Sequence, residues 1–265
     1  MDLHSSIEAH YGADDLVERI MTALRGAGYE ADRPTVEMLS LVDQLHGGGL
    51  DSTKAQAELA GISRGMKVLD AGCGIGGSSR YLAQTYGCRV EAIDLTPQFV
   101  ETAERLNRLC GLEDVISVRQ GSVTDLPYED GAFDLVWCQN VSMNVEDKPR
   151  MFTEAFRVLA PGGRYTLSHV ARGKAGEPYY PLPWAREPSY SFIETPEEML
   201  ELLKAAGFTN IVVRQGASSS AKPPPEGLGS QVVMGPDMPL RSANAIRSRE
   251  EGRLIGMLIV AERAE

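Results

Sequence analysis

The sequence predicts an α/β fold built on a doubly wound, mostly parallel sheet. Three observations carry this. Between residues 66 and 170, short β-rich runs alternate with amphipathic helical stretches. Two of those runs end in a carboxylate, Asp70 and Asp94. The first opens directly into a glycine cluster, Gly72-Cys73-Gly74-Ile75-Gly76-Gly77. Strands that alternate with helices pack as parallel strands with helices on both faces.

The elements follow in chain order. Met66–Asp70 is a short apolar run, and Cys88–Asp94 is a second strand with its acid at the carboxyl end. Thr96 is placed as the cap of the next helix, with Pro97 at its first position. Phe99, Ala103, Leu106 and Cys110 share one face of that helix, and Gly111 ends it. Val115–Arg119 and Phe133–Trp137 read as the third and fourth strands. Met151, Phe152, Ala155, Phe156 and Leu159 form a helical stripe, which Pro161-Gly162-Gly163 is expected to stop. Tyr165–Val170 is the fifth strand. Thr195-x-x-Glu198 around Pro196 is a capping box, and Gly207 closes the helix it opens. Ile211–Val213 and Leu254–Val260 are the final strands. In such a sheet ligands bind beyond the carboxyl ends of the strands, where the strand order reverses.

Composition narrows the function. The chain has 265 residues, 43% of them hydrophobic and 24% charged, with a formal net charge of −11. These are values of an ordinary globular protein. The negative balance argues against nucleic acid or an anionic membrane as partner. The longest apolar run, Leu254–Ala261, is far below the roughly 20 residues a spanning helix needs. Met1–His10 lacks the basic-then-apolar pattern of a signal peptide. Cys73, Cys88, Cys110 and Cys138 form no CxxC pair, so buried free thiols in a reducing cytoplasm are expected, and no metal site.

The glycine cluster carries the strongest chemical signal. Read as GxGxxG it would suit a dinucleotide whose pyrophosphate sits on a helix N-terminus. Asp70 argues otherwise: a carboxylate two residues before the first glycine opposes a pyrophosphate and suits a cationic ligand. S-adenosylmethionine carries a sulfonium and an ammonium group and no phosphate. Asp94, 24 residues after Asp70, is placed to accept hydrogen bonds from ribose hydroxyls. The loop Gln120–Pro127 offers small polar groups for an adenine edge.

VLDAGCGIGG, AIDLTPQFVETAE, RQGSVTDLPYEDGAFDLVW and RVLAPGGRYTL together resemble the class I S-adenosylmethionine-dependent methyltransferases. They are most similar to the small-molecule branch with the ubiquinone/menaquinone, tocopherol and sarcosine/dimethylglycine enzymes. The resemblance covers about residues 40–215. It implies a Rossmann-like seven-stranded sheet with the last strand antiparallel. It also implies Asp70, Gly72, Cys73, Gly74 and Gly76 around the methionine part of S-adenosyl-L-methionine, Asp94 on the ribose, and Ser122 and Val123 at the adenine. Leu95 and Gln139 are counted with this cofactor set. Many relatives have Asp where Ser122 stands, and Ser accepts that bond more weakly. In domain terms, residues 1–65 form an N-terminal helical cover and 66–265 the methyltransferase domain, with an acceptor lid at about 171–195 and a second insert at about 216–245.

The acceptor side is sparser. Related enzymes often carry a His pair after the fourth strand; Gln139-Asn140-Val141-Ser142-Met143-Asn144 has none. His169, ending the fifth strand, and His46, before the fold, are the catalytic candidates, able to act as bases near an unperturbed pKa of about 6.5. Tyr11, Asn140, Asn144, Tyr179 and Trp184 are the acceptor-binding candidates. The insert Gly173–Glu194 is rich in aromatic rings that can hold a flat or cationic group; loop packing or a homodimer contact is its alternative use. The expected activity is methyl transfer to N or O of a small molecule, with S-adenosyl-L-homocysteine as product. A non-methylating protein that keeps the cofactor structurally, and a nicotinamide-dependent oxidoreductase, are the competing readings.

Overall fold

A computed structural model describes residues 15–215 and 224–265. Helices α1 (Leu16–Gly26), α2 (Val36–Asp43) and α3 (Gly49–Ala60) precede the sheet. Then come β1 (Lys67–Ala71), α4 (Gly77–Tyr86), β2 (Arg89–Asp94), α5 (Pro97–Leu109), β3 (Ile116–Gln120) and β4 (Phe133–Gln139). The chain continues through α6 (Lys148–Val158), β5 (Leu159–Arg172), α7 (Pro196–Ala205), β6 (Thr209–Gln215), α8 (Gln231–Met234), α9 (Met238–Glu250) and β7 (Leu254–Glu262).

The seven strands lie in the order β3-β2-β1-β4-β5-β7-β6. All neighbours pair in parallel except β7, which runs antiparallel to both β5 and β6. The order reverses between β1 and β4, so the crevice beyond their carboxyl ends is the expected ligand position. The seven-stranded sheet with an antiparallel last strand is as the resemblance implied.

The strands read as near-continuous apolar runs because both faces are covered. On one face Leu69, Ile93, Val136 and Leu167 pack with Phe152 and Ala155 of α6 and Met199 and Leu203 of α7. On the other, Val68, Val90, Leu135 and Trp137 pack with Ala57 and Ala60 of α3 and Leu82 of α4. Each fully buried Leu or Val contributes about 1.5–3 kcal/mol relative to exposure. A third cluster joins Ile20, Leu24 and Leu39 of α1 and α2 to Ile75, to Leu106 of α5 and to Leu228 and Val233 near α8.

Two local expectations change. Pro161-Gly162-Gly163 does not end α6; α6 stops at Val158 and the three residues lie inside β5, where the register shifts against β4 between Phe133 and Leu135. The Arg263 guanidinium takes the carbonyls of Phe156, Arg157 and Leu159, so the helix end is capped by a side chain from the last strand. Thr96 occupies the N-cap of α5, but its side chain makes no capping bond. Its own N–H instead donates to Asp94 Oδ1 at 2.9 Å. The Thr195–Glu198 capping box forms as read.

Candidate functional site

The glycine turn is built against β2. The N–H groups of Gly72 and Cys73 both donate to Ile93 O, at 2.8 and 3.0 Å. Gly74 N–H donates to Asp94 Oδ2 at 2.8 Å. Asp94 thus joins the turn after β1 to the start of α5, using one lone pair on each oxygen and leaving others open. Burial pushes its carboxyl above the usual range. Beside it Leu95 stays 48% exposed, an apolar side chain facing solvent at a strand end. Gly121 N–H donates to Asp94 O, which sets Ser122 beyond β3. Ser122 Oγ bonds Thr124 Oγ1 at 2.7 Å and accepts from Thr124 N–H, while Val123 is half-buried against the core.

Gly72 has φ +85°, and a Cβ there would lie 2.4 Å from Val141 Cγ2. Only glycine fits that position. Gly77 is different: a Cβ would collide with Asp43 O and Oδ1 and Gln44 Nε2, all within 2.8 Å. The end of α2 is therefore seated on the first residue of α4.

Asp70 is 1% exposed and lies at the floor of the turn, not on an open surface. Its Oδ2 accepts from Ser79 Oγ at 2.5 Å. Burial pushes its pKa up to about 7, against the pull of that bond. Its carboxyl is thus enclosed at the start of the glycine turn and held by Ser79 of α4.

Gln139, ending β4, ties the site together. Its Oε1 accepts from Ser78 Oγ at 2.6 Å, and its Nε2 donates to Thr53 Oγ1 at 3.2 Å. Thr53 Oγ1 also donates to Gln44 Oε1 at 2.7 Å and lies 3.3 Å from His46 Nε2. Buried Arg80 completes the junction, donating to Asp43 Oδ2, Ile75 O and Asn107 Oδ1. Thr53, Gln44, Ser78 and Arg80 were missed by sequence reasoning. Their polar types look like helix surface, and only the packing of α2 and α3 onto α4 buries them.

The two histidines differ from expectation. His46 reaches the Gln139 network, but burial pushes its pKa down to about 4. His169 is 1% exposed, with Nδ1 2.7 Å from Ser142 Oγ. Its Nε2 stands 3.8 Å from Glu194 Oε2. Glu194 in turn pairs with buried Lys148 at 2.6 Å. Burial, and the Lys148 charge beside it, push His169 down to about 3, so the ring is neutral and no ion pair forms with Glu194. The ring is enclosed by Ser142, Glu194 and Lys148.

The acceptor candidates also divide. Tyr11 lies outside the described residues. Asn140 takes φ +57° at the end of β4 and accepts from Ser168 Oγ at 2.7 Å. Asn144 Nδ2 donates to Trp184 O, and Trp184 Nε1 to Ser191 Oγ, so both hold the shape of the 173–194 segment. Tyr179 is turned outward: its ring lies between the Arg247 and Arg253 guanidiniums and its hydroxyl donates to Glu251. It joins the 173–194 segment to the end of α9 and the residues just after it. Arg186–Asp237 and Asn244–Pro181 join the two inserts further.

Comparison with known proteins agrees with this geometry. A family model described as a methyltransferase domain matches residues 69–167. Phosphoethanolamine N-methyltransferase 1 of Zea mays is 32% identical over 167 residues, covering 62% of this chain and 32% of its own length. Sarcosine/dimethylglycine N-methyltransferase of Halorhodospira halochloris is 44% identical over 101 residues, 38% of this chain and 36% of its own. This chain thus spans about a third of those curated relatives. A geranyl diphosphate methyltransferase, solved with GPP and sinefungin, superposes with a TM-score of 0.67 at 26% identity, over 81% of this chain and 78% of that one. The glycine turn, the strand-end Asp94 and β4 all fall within the residues that match the methyltransferase-domain model.

Proposed function

We propose that this protein methylates a nitrogen of a small-molecule acceptor. The observation that carries the reading is the Asp94 carboxylate, which clamps the Gly72–Gly77 turn at the switch point of the sheet and keeps lone pairs for two hydroxyls. The residues fit the donor. Asp94 suits a ribose, Leu95 and the Ser122–Val123 loop suit an adenine, and the turn above Asp70 suits a cationic amino-acid end. When bound, S-adenosyl-L-methionine supplies an electrophilic methyl group on sulfur.

The chain's part is to position and to exclude water. Gln139 holds the start of α4 and the α3 helix together at the carboxyl end of β4, beside Asn140. Neither histidine is a strong base at neutral pH, since burial leaves them at about 4 and about 3. An amine that arrives neutral needs no base to displace the methyl group, whereas a hydroxyl does. That supports N over O, in line with the names of the N-methyltransferase relatives.

The surroundings follow the same reading. All four cysteines are free, which supports a reducing, cytoplasmic location. Among the described residues no helix is long and apolar enough to cross a membrane. The acidic balance supports a small-molecule partner over nucleic acid. Homodimer formation is left to the exposed edge strand β6, where Val212 and Val213 face solvent. The test is S-adenosyl-L-homocysteine release over an acceptor panel of phosphoethanolamine, sarcosine, dimethylglycine and a catechol. Release with an amine is expected. Release with the catechol alone would overturn the nitrogen assignment. Tight donor binding with no release from any acceptor would favour a structural role for the cofactor.

A further inference from the structure

Arg249, in the last turn of α9, is a half-buried cation without a counter-ion among the described residues. Its Nε is fully enclosed and has no hydrogen-bond partner among the described residues. Among the described residues the two buried arginines are ion-paired, Arg80 with Asp43 and Arg241 with Asp237, as is the half-buried Arg157 with Glu154. The neighbouring Glu251 is already taken up by Arg247, Arg253 and Tyr179. Burial, with no carboxylate beside it, pulls Arg249 below the usual guanidinium range. A half-buried guanidinium without an ionic partner has lost part of its hydration, and an anion from outside the chain would replace it.

Its position says what that partner serves. The two terminal nitrogens face Gly47, 3.6 and 3.9 Å from where a Cβ would stand. Gly47 adjoins His46, whose Nε2 lies 3.3 Å from Thr53 Oγ1, and Thr53 bonds Gln139 at the end of β4. The guanidinium is therefore at the meeting point of the N-terminal helices and the second insert, one short network away from the switch point. Elsewhere a molecule of net charge −11 repels an anion, so recognition of one needs a local cation. A guanidinium presents paired donors that match a carboxylate or a phosphate.

We propose that Arg249 binds an oxyanion, carboxylate or phosphate, carried by the acceptor that is methylated. This rests on the methyl-transfer reading and narrows its substrate class to small amines with an anionic head.

Calorimetry on the full chain tests it, with S-adenosyl-L-homocysteine saturating. Two matched pairs are titrated: phosphoethanolamine against ethanolamine, and dimethylglycine against dimethylethanolamine. The wild type should bind the anionic member of at least one pair tenfold or more tighter, and the pair that responds identifies phosphate or carboxylate. Arg249→Met should abolish that preference, and Arg249→Lys should keep part of it. Affinity for S-adenosyl-L-homocysteine should be the same in all three. The ligand-free Arg249→Met protein should melt no lower than wild type, because no internal partner is lost. No preference in either pair overturns the proposal. So does a drop in S-adenosyl-L-homocysteine affinity in Arg249→Met, which would assign the guanidinium to the cofactor's own carboxylate, or a lower melting temperature, which would assign it a structural partner. If the wild type binds no S-adenosyl-L-homocysteine, the methyl-transfer reading fails, and the matched pairs run without it still decide the oxyanion site.

Discussion

Gly72→Ala is the sharpest single perturbation this fold offers. Two separate costs apply. An alanine at φ +85° is in the left-handed region, which costs roughly 1–2 kcal/mol for a residue with a Cβ. The new methyl would also stand 2.4 and 2.7 Å from the two γ-carbons of Val141 and 3.1 Å from its Cβ. Overpacking of that kind costs about 1–3 kcal/mol once neighbours shift. The sum is about 2–5 kcal/mol, or several degrees in Tm, since each kcal/mol moves the midpoint of a chain of this size by about 2–4 °C. Val141 follows Asn140 directly after β4, so its displacement also disturbs the crevice. Urea unfolding of wild type, Gly72→Ala, Val141→Ala and the double variant separates the two costs. Truncating Val141 removes the two γ-carbons, so the double variant should recover the packing part and retain the conformational part. A single-variant loss below about 1 kcal/mol would refute the reasoning, as would a cycle with no coupling between the two positions.

Other outcomes follow from the same geometry. Asp94→Ala should weaken S-adenosyl-L-homocysteine by tenfold or more in calorimetry, since charge-assisted bonds are worth about 1.5–3 kcal/mol each; affinity within twofold of wild type in a folded variant would count against the ribose assignment. Asp70 has a folded pKa near 7 against 3.8 for the free group, so the folded state holds its proton longer and stability falls as pH rises from about 4 to about 7. Asp70→Asn should flatten that fall in thermal melts of the ligand-free protein, and identical pH curves would refute the buried-carboxylate account. His169 runs the other way: with its folded pKa depressed to about 3 from 6.5, it contributes stability that is present above about 6.5 and lost as pH falls toward 3. His169→Gln should reduce that acid loss and leave any rate step near pH 6.5 in place; a step that disappears with the side chain would restore His169 as a base.

Much of this architecture was legible because local chemistry and tertiary structure agree. The alternation of strand and helix from Met66 to Val170, the carboxylates at two strand ends, the glycine turn and the Thr195 capping box are short-range patterns, and each forms close to where the sequence places it, except that the fifth strand begins at Leu159 rather than Tyr165. The Pro161-Gly162-Gly163 stretch misled because a breaker signal does not say whether it ends a helix or bends a strand. A register shift in β5 absorbs it, and Arg263, a hundred residues on, caps the helix.

The site divides along the same physical line. Asp94 and the glycine turn are one strand apart in a parallel pair, so their spacing in sequence already implied that they meet, and Gly74 N–H to Asp94 is that meeting. The charge states and orientations of the acceptor side depend on what packs over each group, which no local pattern encodes. His169 looked like a strand-end base, and the fold buries it against Ser142 under Lys148 and Glu194. Tyr179 looked like an acceptor contact, and the fold sets its ring between Arg247 and Arg253, partners more than sixty residues away in sequence. Arg249 carried no signal in the sequence at all, because an arginine near a helix end reads as surface. Sequence alone determined the sheet and the donor-side turn, where neighbours are set by strand pairing; tertiary structure alone decided which polar groups are enclosed, and with them which arginine nitrogens are left without a partner among the described residues.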